Sequence, residues 1–119
     1  MRTILIVDDE FGIVDVLVAS LEDEGYRLFS ASNGRRGLER LDETKPDLIV
    51  SDFMMPLMDG AAMGIEIRDR PGYDDVPIIM MSSVPESALR QRFAGYQAFL
   101  QKPFPIPVFL TLVDKLLGK

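Results

Sequence analysis

Three short apolar runs constrain this chain more than any other feature: Ile4-Leu5-Ile6-Val7, Leu48-Ile49-Val50 and Ile78-Ile79-Met80-Met81. None alternates polar with apolar, as a strand with one wet face does. Short continuous runs suit strands covered on both faces, the condition of a parallel sheet flanked by helices. Weaker runs, RLFSA at 27–31 and AFL at 98–100, supply two more strands. Between the runs the spacing turns helical. Ile13, Leu17 and Leu21 recur at i, i+4 and i+8 with Val14 and Val18 beside them, and Gly25 stands where a C′ glycine ends a helix. Leu38 and Leu41 mark a second helix, residues 60–69 a poorly patterned third, Leu89 and Phe93 a fourth, and Phe109, Val113, Leu116 and Leu117 a fifth. Strand followed by helix, five times over, implies right-handed crossovers and an α/β fold with helices on both faces of the sheet. The 119 residues fit one domain, 1–119, and no Ser/Gly/Pro-rich linker divides them.

Composition closes several routes. Without cysteine the chain has no disulfides, zinc-thiolate sites or thiol chemistry, and without histidine it lacks the commonest general base and cannot itself carry a phosphohistidine. A net charge of −6 offers no electrostatic footprint for nucleic acid. No apolar run approaches the roughly 18 residues that span a bilayer. The N-terminal MRTILIVDDE turns acidic too soon for a signal peptide, so the expected setting is the cytoplasm.

The polar residues that end these runs share one position in the fold. Asp8 and Asp9 follow ILIV, Asp52 follows LIVS, Ser82 and Ser83 follow or close IIMM, and Lys102 follows AFLQ. All lie at carboxyl ends of strands, the edge where open α/β sheets bind ligands. If strands one and three are neighbours, three carboxylates crowd one crevice. At about 5 Å and an effective dielectric near 20, each pair repels by roughly 3 kcal/mol. A divalent cation relieves that repulsion, and hard oxygen donors with open positions suit Mg²⁺, with Mn²⁺ an alternative. Lys102 can bind a phosphoryl oxygen, Ser82 can donate a hydrogen bond to another, and Asp52 can act as the nucleophile that forms an aspartyl phosphate. Each residue also has an ordinary reading: Asp9 as helix N-cap, Asp52 as a loop acid, Ser82 as a turn serine and Lys102 as a solvated lysine. Their joint placement on one edge favours the functional reading.

The segments ILIVDDE (4–10), DLIVSDFMMPLMDG (47–60), VPIIMMSS (76–83) and FLQKPF (99–104) together resemble the receiver domain of two-component response regulators, over essentially the whole chain. The resemblance implies a flavodoxin-like (βα)5 doubly wound sandwich with five parallel strands in the order 2-1-3-4-5. It implies Asp52 as phosphoacceptor, Asp8 and Asp9 as the acidic pair holding Mg²⁺, and Met54 as the residue whose backbone carbonyl completes the metal site. It also makes Lys102 the phosphoryl-contacting lysine, Ser82 the switch hydroxyl, Phe99 the aromatic switch, Gly60 the residue that permits the turn before helix three, and Lys102–Pro103 a cis peptide. The partners it implies are a histidine kinase or histidine phosphotransfer protein as donor, and an output domain or protein at the face of helix four, strand five and helix five. Such a domain catalyses its own phosphorylation and dephosphorylation without being a conventional enzyme.

Two departures from that pattern fall on the output face. The stretch from Ser83 to Lys102 is short, so helix four is expected to be short or shifted. Pro105 and Pro107 stand where an acidic N-cap is usual, with Pro107 expected at the first helical position. Two other classes compete. A phosphatase of the haloacid dehalogenase type would place its two acids two apart on the first strand, whereas VDDE places them adjacent. A pseudo-receiver, binding partners without phosphate, would lack part of the Asp8, Asp9, Asp52, Ser82, Lys102 set.

Overall fold

The computed structural model describes residues 1–118. Five strands alternate with five helices: β1 (Thr3–Val7), α1 (Phe11–Asp23), β2 (Arg27–Ala31), α2 (Gly34–Thr44), β3 (Leu48–Asp52), α3 (Gly60–Asp69), β4 (Ile78–Ser82), α4 (Glu86–Arg90), β5 (Ala98–Gln101) and α5 (Ile106–Leu116). All pairings are parallel, in the order β2-β1-β3-β4-β5. The three strong apolar runs are the three central strands and are buried throughout, while the weaker runs are the half-exposed edges.

Successive side chains on a strand face opposite ways, and here each way is covered. Ile4, Ile6, Leu48, Val50, Ile79 and Met81 pack with Val14, Leu17 and Leu21 of α1 and Phe109 and Val113 of α5. Leu5, Val7, Ile49, Ile78 and Met80 pack with Leu38 and Leu41 of α2, Ala61, Met63 and Ile67 of α3, and Leu89 of α4. At about 1.5–3 kcal/mol for each fully buried large aliphatic side chain, these layers fix which edge of the sheet carries the loops of interest.

Helix ends explain several local choices. Beyond α1, the Tyr26 N–H bonds the Leu21 carbonyl and the Gly25 N–H that of Glu22, with Gly25 at φ 91°, so Gly25 is the C′ residue of a Schellman ending. Asp59 caps α3 by accepting the Ala62 N–H at 2.9 Å. Helix α4 is short, a single five-residue turn. Phe93 lies outside it, although its spacing from Leu89 reads as helical. Its ring instead fills a slot between Gly64 and Gly95, where a Cβ on either glycine would come within 3 Å of the ring. Pro107 is the second helical residue of α5, not the first, and Pro105 is the N-cap. Neither position needs a backbone N–H, since the first-turn donors of a helix have no partner within it. The Pro105 carbonyl accepts the Val108 and Phe109 N–H groups at 3.1 and 3.3 Å.

Candidate phosphoacceptor site

Asp8 is the first residue past β1, Asp52 and Ser82 are the last residues of β3 and β4, and Lys102 is the first past β5. Neighbouring parallel strands bring these ends together. The Lys102 Nζ donates to Asp8 Oδ2 at 2.9 Å, lies 3.0 Å from Asp52 Oδ1, and reaches Glu10 Oε1 at 3.2 Å. Lys102 is therefore no solvated lysine: its side chain is 10% exposed. Asp8 and Asp52 are buried.

Burial pushes the Asp52 carboxyl up to about 6; the Lys102 contact opposes this, and the Asp8 and Asp9 charges add to it. Burial also works against the Lys102 charge, but the Asp8 and Asp52 carboxylates outweigh it and hold that ammonium above the ordinary lysine range. A buried carboxylate facing a lysine and further acids is the kind of group whose titration is displaced at a reactive site.

The three carboxylates of Asp8, Glu10 and Asp52 offer oxygens within 4.8 Å of one another. Hard oxygen donors at that spacing, two buried and one exposed, fit a small divalent cation that retains several waters. Asp9 is exposed and lies outside this trio, and it is not the cap of α1 either. The N-cap is Glu10, which makes no side-chain cap bond; its N–H is held by Asp8 Oδ1 at 3.0 Å. The sequence reading missed Glu10. The signal available was the third consecutive acid of VDDE, which falls on the turn between β1 and α1 and can reach back over the strand end.

Ser82 is buried, and its Oγ accepts the Val84 N–H at 3.0 Å, leaving its own hydroxyl proton for another partner. Met54, two residues past Asp52, exposes its side chain. Phe99 is half-buried on β5, beside Met80 of β4, and packs against the α2–α3–α4 layer. The Lys102–Pro103 peptide is cis. Gly60 permits the turn before α3 through space and not through a left-handed backbone. Its φ is not in the left-handed region; what excludes a side chain is the Asp52 carbonyl oxygen at the end of β3, with the Phe53 Cα and the Ser51 Oγ each 3.1 Å from where a Cβ would stand.

A doubly wound parallel sheet in this strand order, with acids at the carboxyl ends of its first and third strands and a lysine after its fifth, defines a receiver-type signalling domain. The chain belongs to the response regulator receiver domain family, whose model matches residues 4–114. It is similar to the response regulator MprA of Mycolicibacterium vanbaalenii, 33% identical over 120 residues, an alignment covering 98% of this chain and 50% of that protein. The chain spans about half the length of the curated relatives it matches first. Among solved structures it is similar to the receiver domain of a signal transduction histidine kinase from Syntrophus aciditrophicus, with a TM-score of 0.90 and 34% identity over 99% of this chain and 91% of that one. It is also similar to the receiver domain of the sensor histidine kinase PA1611 from Pseudomonas aeruginosa, solved with a magnesium ion coordinated in its active-site cleft, with a TM-score of 0.90 and 27% identity over 99% and 98% of the two chains. This membership sets aside the dehalogenase-type phosphatase.

Proposed function

We propose that Asp52 accepts a phosphoryl group from the phosphohistidine of a histidine kinase or a histidine phosphotransfer protein, with Mg²⁺ held among the acids of the cleft. The observation that carries this reading is the buried Asp52 carboxylate sharing Lys102 with Asp8 at 3.0 and 2.9 Å. An Asp52 oxygen attacks phosphorus as the P–N bond to the donor histidine breaks, and the imidazole leaves with the bond pair and takes up a proton. Lys102 follows the charge that moves onto the phosphoryl oxygens, and the Ser82 hydroxyl donates to one of them.

Asp8 and Asp52, with Asp9 on the same turn and the Met54 backbone carbonyl, would hold Mg²⁺ (or Mn²⁺); Mg²⁺ supplies charge neutralisation between the carboxylates and the incoming phosphoryl group. The magnesium-bound PA1611 receiver domain supports that choice. Engagement of Ser82 makes room for Phe99 to turn inward, which changes the α4-β5-α5 face that an output domain or partner reads. The short α4 and the two prolines beginning α5 give this chain its own version of that face. The setting is cytoplasmic; among the described residues no helix is long and apolar enough to cross a membrane. The chemistry is self-catalysed and stoichiometric, so the domain is a switch and not a conventional enzyme. A phosphorylation-independent module has less support, since Asp8, Asp52, Ser82 and Lys102 all stand on the same strand-end edge.

A small phosphodonor such as acetyl phosphate, with Mg²⁺, is expected to label the wild-type chain and leave Asp52→Asn unlabelled. Equal labelling of both would end the assignment.

A further inference from the structure

Lys102 is crowded by acids. An ammonium has three N–H donors; here two are spent on Asp8 at 2.9 Å and Glu10 at 3.2 Å, while Asp52 Oδ1 stands 3.0 Å from Nζ as an ion pair. A phosphoryl oxygen arriving at Asp52 therefore competes for the lysine with two carboxylates that already hold its N–H groups. The three acids are not equivalent. The Asp8 and Asp52 side chains are 0% and 7% exposed, whereas Glu10 is 58% exposed and makes the longest contact. If Asp8 released the lysine, it would leave a charge unpaired in the interior, which is strongly disfavoured. Glu10 can return to water at little cost.

We propose that Glu10 is a positioning residue that holds an N–H of Lys102 in the unphosphorylated state, so that a phosphoryl group on Asp52 competes with Glu10 for the lysine. The proposal rests on the phosphoacceptor reading of Asp52. Glu10 acts through Lys102 and does not touch the reacting atoms. Its place on the β1–α1 turn follows from the Asp8 contact to its own N–H at 3.0 Å, which fixes the backbone from which its side chain reaches back over the strand ends. An exposed ion pair is weak, so removing this competitor should tighten the hold on a phosphoryl group by only about two- to fivefold.

Beryllofluoride, a phosphoryl mimic that binds an aspartate without transferring phosphorus, gives the readout. Its affinity for the whole chain is measured by ¹⁹F NMR at saturating Mg²⁺ for wild type, Glu10→Gln and Asp15→Asn; Asp15 is an exposed acid on α1 outside the Lys102 contacts. The expected result is about two- to fivefold tighter binding by Glu10→Gln, no change for Asp15→Asn, and a narrowing of the Glu10→Gln gain in molar salt as the displaced ion pair is screened. Equal gains in both variants would mean general charge and overturn the proposal. So would weaker binding by Glu10→Gln that further Mg²⁺ restores, which would make Glu10 a cation ligand. Failure of wild type to bind beryllofluoride at all would instead remove the reading of Asp52 on which the proposal rests.

Discussion

Gly60 lies directly against the backbone of Asp52: a Cβ on residue 60 would press on the Asp52 carbonyl oxygen and stand 3.1 Å from the Phe53 Cα. The Gly60 N–H also donates to the Phe53 carbonyl at 2.7 Å. The loop that leaves β3 thus returns to its own starting point, and the next residue back, Asp59, is held by Arg92 as well as capping α3. Gly60→Ala must move backbone on one side or the other, because no flexible side-chain tip is available to yield. A loss of about 1–3 kcal/mol is expected, together with slower labelling of the folded fraction by a small phosphodonor. Urea unfolding checks the first and labelling rates the second; unchanged stability would show that the loop relaxes freely and does not position Asp52.

The elevated Asp52 carboxyl ties stability to pH. Folding lifts it to about 6 from an unfolded value near 3.8, mainly by burial. Between those values the folded chain binds a proton that the unfolded chain has released, so this group's contribution to stability is present in acid and is lost as pH rises through about 6. Asp52→Asn removes the buried charge. At pH 7.5 without divalent cation the variant should be more stable than wild type by about 1–2 kcal/mol, a figure discounted for the solvent that reaches the acidic cleft. The gap should narrow by about half as pH falls from 7.5 to 5, since the unfolded carboxyl is still ionised at pH 5 and the remainder is lost only below that. Urea melts of both proteins at the two pH values decide it, and a gap independent of pH would show that Asp52 is not the titrating group.

Two helical glycines should respond in opposite directions to the same substitution. Replacing glycine by alanine within a helix gains up to about 1 kcal/mol from backbone entropy. A Cβ on Gly12 of α1 meets nothing within 4 Å, so Gly12→Ala should stabilise by about 0.5 kcal/mol. On Gly64 of α3 it would stand 2.7 Å from the Phe93 Cζ, in a slot closed on its other side by Gly95, and overpacking by about 1–3 kcal/mol outweighs the entropy gain. Gly64→Ala should therefore destabilise, and Gly64→Ala with Phe93→Leu should recover part of the loss. Thermal melts of the three proteins test this; a stabilised Gly64→Ala would mean that the Phe93 ring shifts without penalty.

Fold and site differed in how much the sequence revealed, and the difference has a physical cause. The strands were legible because a strand covered on both faces leaves a continuous apolar run, and a run that stops abruptly on Asp8 or Asp52 marks its own end. Helix α1 was legible because Val14, Leu17 and Leu21 face one layer and a glycine closes it. Phe93 misled, since spacing alone cannot separate a further helical turn from a ring that drops into a slot made by glycines distant in sequence. Glu10 was missed for a related reason. Its link to Lys102 joins residues 92 apart along the chain, and an exposed acid beside a helix start usually reads as a solvated charge. What pattern conveys is the layer a side chain faces; which partner it meets there depends on register and loop path.

Divalent cations should stabilise the fold, and the response of one exposed acid discriminates between two versions of the site. A ligand that binds only the folded state adds about 2.7 kcal/mol at a hundredfold over its dissociation constant. Millimolar Mg²⁺ should therefore raise the melting temperature of the wild type, while also relieving repulsion among Asp8, Glu10 and Asp52, whose oxygens lie within 4.8 Å of one another. Asp9 is exposed and outside that trio, so Asp9→Asn should leave the melting temperature measured without Mg²⁺ nearly unchanged. If Asp9 turns in to join the cation, the variant loses most of the Mg²⁺ increment. If the increment survives intact in Asp9→Asn and disappears in Asp8→Asn, the buried acids hold the ion without Asp9. Scanning calorimetry of wild type and both variants, with and without Mg²⁺, separates the two, and no increment in wild type would count against a cation site of any composition in this cleft.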